Sequence, residues 1–523
     1  MTVTPLGALN TNAINVPGLY VQIVPPQTII NGVPTDIAGV VGTAAFGPVN
    51  TPVVVGSYAE YKQSFGDLVA RSNDMGTQIA KMAQQGAQNF RCVRVTDGTD
   101  TAATGAFPAA NMGTGNTLTI TAKYSGSWFS SNVNVVLASG TKSTTGKISV
   151  VAAGFGALEV FDNIPLTNPA AFVTAINSGI GLQGPSQWLV ASSTGSAAVT
   201  VIGLTLGPNG TAWTPGTDGV STITSSTLVG VDTAPRTGMY ALRGQGASLM
   251  VLADMTDLTK ATGIASFADS EGIYAILETA AGDTLTAAAT ELGTAGLDDY
   301  GVKVCFGDWI DWFDAVNQTT RLTGPAAFVA GKLANLSPEQ SSLNKKLVGI
   351  VGSQKSGLSG SAVNGQWSAA DKGVIFGGRL DLVANPSPGG AYWSAGLGHN
   401  SSSNPATSGD NYTRMTNFLA FTFNAAMGIY VGQVITPDLF NQIHATFAEF
   451  LGNLQEANMI GAFSVVCDLS NNPQSRTALG YVQADVQVQY LGINEKFIIN
   501  LQGGTTVQIA SNGNIVGAAQ AAA

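Results

Sequence analysis

Charge is what this 523-residue sequence has least of. Asp, Glu, Lys and Arg make up 10% of it, against about 25% in an ordinary soluble domain. Basic residues are the scarcer kind, 22 against 32 acidic ones, for a net charge of −10. That balance excludes nucleic acid as a direct partner, because phosphate binding needs clustered Lys and Arg. No apolar run approaches the roughly 20 residues of a spanning helix, so no membrane insertion is expected. Histidine occurs only at His399 and His444, in different elements, and no Cys-x-x-Cys pair exists. His-rich and Cys-based metal cages are thereby excluded. Cys92, Cys305 and Cys467 lie far apart in apolar runs and read as reduced core residues. No basic residue precedes Lys62, so the positive start of a secretion signal is missing.

Gly (64 residues), Ser, Thr, Asn, Gln and Ala fill the deficit. Such a surface hydrates weakly without being greasy, and suits a subunit that mostly touches copies of itself; an extracellular β-rich protein is the alternative. The length exceeds one hydrophobic core, and three or four domains are expected. Neither Met1 to Thr35 nor Phe497 to Ala523 contains Asp, Glu, Lys or Arg. Solvated tails and exposed strand edges normally carry charge. These ends carry strand-like pieces instead: Leu19, Val21 and Ile23 alternate with Tyr20 and Gln22, and Val507 and Ile509 flank Gln508. Both read as inter-subunit strand arms, given to neighbours by β-augmentation. The other reading is disordered ends with one edge strand each.

Between the ends the character changes three times. Gly18 to Val55 is a run of short strands punctuated by prolines, followed by a helix near Thr77 to Gly86 and a strand, Phe90 to Val95. Thr99 to about Ser226 is rich in Ser, Thr, Gly and Ala, with turn-spaced strand signals at Leu118–Thr121 and Val133–Val136 and one helix at Pro169–Ser178. It reads as an inserted, mostly β outer domain. From Gly238, apolar strands at Ser248–Ala253, Ile273–Leu277 and Val302–Phe306 alternate with helices, which predicts a parallel α/β middle domain. The turn Asp254–Leu258 has no glycine, so this sheet is read as scaffold, not as a phosphate site.

No catalytic constellation emerges, and no cofactor is expected. His444, between Ile443 and Ala445, reads as structural; His399 sits in the loop Gly396–Ser402 with no identifiable partner. Gly324 to Lys332 departs from a P-loop in spacing, and Leu333 stands where Ser or Thr would bind magnesium. Asp308, Asp311 and Asp314, read as three carboxylates on one side of a turn, lack the calcium-loop pattern and are taken as an acidic face or a contact with a basic neighbour.

The chain is organised around Thr436 to Leu501. Thr436 can cap, Pro437 fits the first helical position and Asp438 suits the positive end of the helix dipole. Phe440, Ile443, Phe447, Leu451 and Leu454 form one apolar stripe, with Gln442, Thr446, Glu449, Asn453 and Glu456 opposite. An apolar run follows at Phe463–Cys467. Val482, Ala484, Val486, Val488 and Tyr490 then alternate with polar residues as a half-buried strand, and Phe497 to Leu501 is a further strand candidate. The expected fold class is mixed α/β and β, multidomain. An α/β C-terminal core (376–501) is completed by N-terminal segments (18–98), with the outer domain at 99–226, the middle domain at 227–375, and arms at 1–17 and 502–523.

Pro17-Gly-Leu-Tyr-Val-Gln22, Thr35 to Pro48, Pro52-Val-Val-Val55, Phe65-Gly66 and Cys92-Val-Arg-Val95 together resemble the opening of the contractile-tail sheath proteins of bacteriophages. Leu118 to Trp128 is similar to the start of that family's protruding domain. The order of long helix, Val465-Val-Cys-Asp468, Asn471-Asn472 and closing hairpin is similar to its C-terminal domain. Val434-Ile-Thr-Pro-Asp438 stands where the family often has an acidic-Pro-Asn piece. The resemblance implies a homo-oligomer of stacked, commonly sixfold rings around a tail tube, bounded by baseplate and tail terminator proteins in a virion, assembled extended and contracting once. It also implies that the terminal arms add strands to neighbouring subunits, and that the helix face with Glu449, Asn453 and Glu456 lies toward the tube. Sheaths of bacterial secretion systems and tailocins are the related alternative, and a host-binding tail fibre the distant one.

Overall fold

The computed structural model describes residues 2–4, 20–22, 30–355, 357–358, 366–501, 509–511 and 514–516. Its largest sheet has six strands, in the order Val302–Cys305, Tyr274–Glu278, Leu249–Leu252, Ala38–Gly42, Phe90–Arg94 and Val53–Val55. The first five run parallel and the last is antiparallel. Both faces are covered, which is why these strands read as unbroken apolar runs. Helices Met75–Gln84 and Ala326–Ala334 pack on one face. Helices Ala261–Glu271 and Leu285–Thr294 pack on the other. Gly331 lets the first two helices touch: a Cβ there would sit 2.6 Å from the Met82 Cα. The Gly324 to Lys332 stretch is thus buried helix–helix packing. The sheet also corrects the expected partition, because strands 38–42 and 90–94 complete the middle sheet and do not join the C-terminal layer. The inserted outer segment separates strands in sequence that are neighbours in space.

That segment encloses its own core. One sheet orders Gly156–Pro165, Thr145–Ala152, Val133–Ser139 and Leu204–Leu206; the other orders Leu189–Thr194, Thr117–Ala122 and Thr104–Phe107. Phe107, Leu118, Ile120, Val135, Ile148, Val150 and Phe161 fill the space between. Its two connections are clamped by charge. The buried Arg94 guanidinium donates to the carbonyls of Gly47 and Ser125, at 2.7 Å each, and of Asp218 at 3.1 Å. Asp218 pairs with Arg71 at 2.5 Å and accepts the Ser127 N–H at 2.7 Å.

Asp308, Asp311 and Asp314 do not form one side of a turn. Ile310–Asp314 is a strand paired with Thr319–Thr323 and Ile350–Ser353, so alternation sends Asp311 and Asp314 to opposite faces. Asp314 is buried and pairs with Arg321 at 2.8 Å. Asp308 accepts hydrogen bonds from Ser353 Oγ, the Lys355 N–H and Trp367 Nε1.

The parallel sheet is fixed to the helix Asp410–Met427 by a second buried charge cluster. Lys303 Nζ lies 2.5 Å from Asp381 and 3.1 Å from Asp410, all three being almost fully buried. Asp410 also accepts the Tyr274 hydroxyl (2.6 Å) and the Ser342 N–H (3.0 Å). Burial alone would push the Asp410 carboxyl up, yet Lys303 and these donors hold it at about 2. Burial likewise opposes the Lys303 charge, and the two carboxylates outweigh it. Lys303→Met leaves two acids unpaired in the interior and should cost about 3–5 kcal/mol in urea unfolding of the purified subunit.

Asp74 gives a pH signature. It caps helix Met75–Gln84 through the Thr77 N–H at 2.8 Å, and burial pushes its carboxyl up to about 6, against Thr77 and Arg71. A raised acid stabilises the fold below its ordinary value of 3.8, and that contribution is lost as pH rises through about 6. Asn at this position keeps the cap without the charge. Asp74→Asn should therefore flatten the stability-versus-pH slope across that window, removing a change of about 3 kcal/mol in denaturant titrations.

Candidate assembly surface

The long helix forms as its sequence dictates. It runs Pro437–Glu456, with the Thr436 hydroxyl accepting the Leu439 N–H at 3.2 Å. Its apolar stripe is wider than the periodicity predicts: Leu439 and Phe450 are buried too, and so is Thr446. Thr446 was expected on the polar side; its hydroxyl meets Tyr430 Oη at 2.6 Å instead, so a satisfied polar group joins the buried face.

Against this helix lies a two-stranded antiparallel hairpin, Ile460–Val466 with Asp485–Tyr490, in which Phe463 faces Val488 and Val465 faces Val486. Helix Asp410–Met427 completes the layer with Met415, Phe418 and Leu419. Ile30 and Val33 from the N-terminal segment pack there, and the Val33 N–H donates to Thr422 Oγ1 at 3.1 Å. Arg414 ties the same segment down by donating to the carbonyls of Leu336, Ser337 and Thr35.

Two features mark this layer as unfinished. Among the described residues neither hairpin strand has a second neighbour, so both edges present unpaired backbone groups. Beside the hairpin runs an apolar groove of about 570 Å³, lined by Tyr430, Val431, Ile443, Phe447, Tyr481 and Val482. Val431 in its wall is 84% exposed. Nine of the exposed large apolar side chains among the described residues fall between Ile429 and Leu491.

Local electrostatics are mild. Burial raises the Cys467 thiol and the Tyr490 hydroxyl, and Gln483 and Asn471 hold the exposed Asp485 below the usual carboxylate range. Ser470 does the same for Asp468, with His444 nearby adding to it. His444 is exposed on the helix and His399 is half-buried in its loop. Among the described residues no group of three or more His, Cys, Asp or Glu could hold a metal ion.

Glu449, Asn453 and Glu456 are exposed together on the outward side of the helix. Tyr20 and Val21 lie in the strand Tyr20–Gln22, which pairs in parallel with Thr2–Thr4. Leu19, Ile23 and Val507 lie outside the described residues. The terminal stretch, residues 492–523, is a separate unit. Within it Ile509–Ser511 pairs antiparallel with Asn514–Val516. Phe497 to Leu501 was expected as a strand and is not one: among the described residues it has no ladder partner, and Phe497 is 78% exposed.

No protein-family model matches the chain, and no curated protein matches it. Solved structures do. The sheath tail protein of Desulfitobacterium hafniense matches with a TM-score of 0.55 at 15% identity, over 87% of this chain and 94% of that one. The sheath tail protein of Listeria innocua matches with a TM-score of 0.57 at 13% identity, over 85% and 90%. The sheath of an extracellular contractile injection system, PVC, in its contracted state matches with a TM-score of 0.52 at 10% identity, over 95% and 99%. The mixed α/β multidomain fold is therefore that of contractile sheath proteins.

Proposed function

We propose that this chain is the polymerising subunit of a contractile tail sheath, in which neighbouring subunits are linked by donated terminal β-strands. The observation that carries this is the C-terminal layer: a two-stranded hairpin with no further strand on either edge among the described residues, in a chain whose ends are uncharged. The sheath fold supports the same reading. Leu19 to Ile23 and Val507 to Ile509 are the segments given away, by main-chain hydrogen bonds that do not depend on charge. The partners are further copies in stacked, sixfold rings, a tail tube, a baseplate and a tail terminator, within a virion; the role is structural, not enzymatic. An extracellular injection machine is the second reading, favoured by the likeness to the PVC sheath.

Contraction is then a rigid-body change of packing with the arms as hinges. The Arg94–Asp218 and Lys303–Asp381–Asp410 clusters support rigidity, since bending the subunit would expose or unpair buried charge. The extended form is metastable, and a small free-energy difference per subunit sums over many copies without nucleotide hydrolysis.

Negative-stain electron microscopy of the purified protein should show hollow striated cylinders. Deleting Met1 to Asn15 should leave circular dichroism and melting unchanged while abolishing cylinders; normal cylinders would sink the arm model. We further assign Glu449, Asn453 and Glu456 to the tube side. Glu449→Lys with Glu456→Lys should impair co-assembly with the tube protein in a pelleting assay, and undiminished co-pelleting would remove that assignment.

A further inference from the structure

Buried polar groups in a folded chain pair with something, and the exceptions in this one gather in a single seam. Tyr61 Oη, Arg71 Nε and Nη2, Asp74 Oδ1 and Arg94 Nε have no hydrogen-bond partner among the described residues. They are five of nine such buried side-chain atoms, a concentration that points to a shared occupant and not to scattered misfits. All five lie on Tyr61, on the Asp74 cap, or on the two arginines that hold Asp218.

Each of the central groups is half used. Asp74 Oδ2 accepts the Thr77 N–H (2.8 Å), the Thr77 hydroxyl (2.7 Å) and the Val69 N–H (3.3 Å), while Oδ1 accepts nothing. Arg71 donates through Nη1 to Asp218 at 2.5 Å, which leaves the guanidinium edge made by Nε and Nη2 unpartnered. Nε lies 3.8 Å from Asp74 Oδ1, beyond hydrogen-bond reach. Tyr61 reaches the same place from helix Tyr58–Phe65. It is fully buried and lies against Gly76, two residues beyond Asp74, where a Cβ would meet its Cε1 at 3.0 Å. Burial pushes the Tyr61 hydroxyl well up, Asp74 adds to this and Arg71 opposes it, so both charges are close enough to be felt.

The donor set decides what the occupant is. Arg71 and Arg94 face Asp74, Asp218 and, beside Arg94, Asp100. No positive surplus exists to hold an anion, and Asp74 Oδ1 repels one. The unpartnered nitrogens of two guanidinium groups repel a cation. What fits is a small neutral group that accepts from Tyr61 or Arg71 and donates to Asp74. Water does both, with about three hydrogen bonds for each buried molecule. A polar gap wider than about 3.5 Å is where a bridging water belongs.

We propose that an ordered water is bound between Tyr61 Oη, the Nε–Nη2 edge of Arg71 and Asp74 Oδ1. It completes a bridge from Asp218, on the return connection of the outer sandwich, to the cap of helix Met75–Gln84. This water belongs to the single subunit and is independent of assembly. Tyr61→Phe keeps the ring and removes only the hydroxyl, so the sign of its effect is diagnostic. Loss of a hydroxyl bonded to a bound water should raise the unfolding equilibrium constant about tenfold, or about 1.4 kcal/mol, in guanidinium titrations of the purified chain. A hydroxyl buried without a partner is relieved by the same change, so a variant as stable as the parent, or more stable, would overturn the site. A high-resolution density map should show one peak about 2.7–3.2 Å from Tyr61 Oη, an Arg71 nitrogen and Asp74 Oδ1. Direct contact of Asp74 Oδ1 with Tyr61 or Arg71 and no peak between them would overturn the proposal, because no room for a water remains. An anomalous signal at the peak after a bromide soak would overturn it too, because the occupant would then be an anion.

Discussion

A two-stranded hairpin laid across one helix is at the margin of what water tolerates, and the C-terminal layer of this chain is built that way. Its helix buries eight side chains from Leu439 to Leu454, yet among the described residues the sheet beneath has no strand beyond its two. Everything else about the molecule follows from that shortfall. The ends are free of charge, so nothing in them opposes strand pairing. The apolar side chains of Phe497, Ile498, Ile499 and Leu501 are exposed. In the proposed reading, the sheet of this layer and the uncharged ends are complementary halves of one contact between copies.

Some of the chain's few charges are placed inside, at seams between its packed parts. Arg94, Lys81 and Lys303 are fully buried, and they sit where one packed part meets another. Lys303 ties the parallel sheet to helix Asp410–Met427, and Arg94 holds both connections of the outer sandwich. Such groups stabilise little compared with apolar replacements, but they penalise any arrangement that separates the partners. The subunit is therefore stiff at its internal seams and bare of charge at its terminal segments. Large movements between copies are compatible with that distribution; large movements within a copy are not.

What was legible in the sequence was whatever a local period or a cap determines. The apolar stripe from Phe440 to Leu454, the Thr436 cap and the buried strands at 249–252, 274–278 and 302–305 needed no partner from elsewhere in the chain to be recognised. What escaped depended on distant pairing. Spacing of three made Asp308, Asp311 and Asp314 look like a turn, because the strand they flank is defined by its ladder with 319–323 and 350–353. Thr446 looked solvated because Tyr430, its partner, lies in another element. The union of 38–94 with 249–305 in one sheet was hidden by the outer insertion. The open hairpin edges were invisible for the same reason: an absent neighbour leaves no mark on the residues that lack it.

The scarcity of charge also bears on how a lattice of such subunits can change state. When one interface is exchanged for another, each ion pair in the first must be broken and its members either rehydrated or paired again, with a desolvation term of several kcal/mol wherever the pairing is imperfect. Main-chain strand pairing and small-residue faces carry no such term, since their groups re-form the same hydrogen bonds and contacts in either arrangement. If the chain assembles as proposed, a surface of Thr, Ser, Gly and Ala would keep the barrier between two packings low without making either packing weak in aggregate, since a small gain per copy sums over many copies. Under the sheath reading, the buried charge at the seams and the uncharged terminal segments together would permit both properties in one chain.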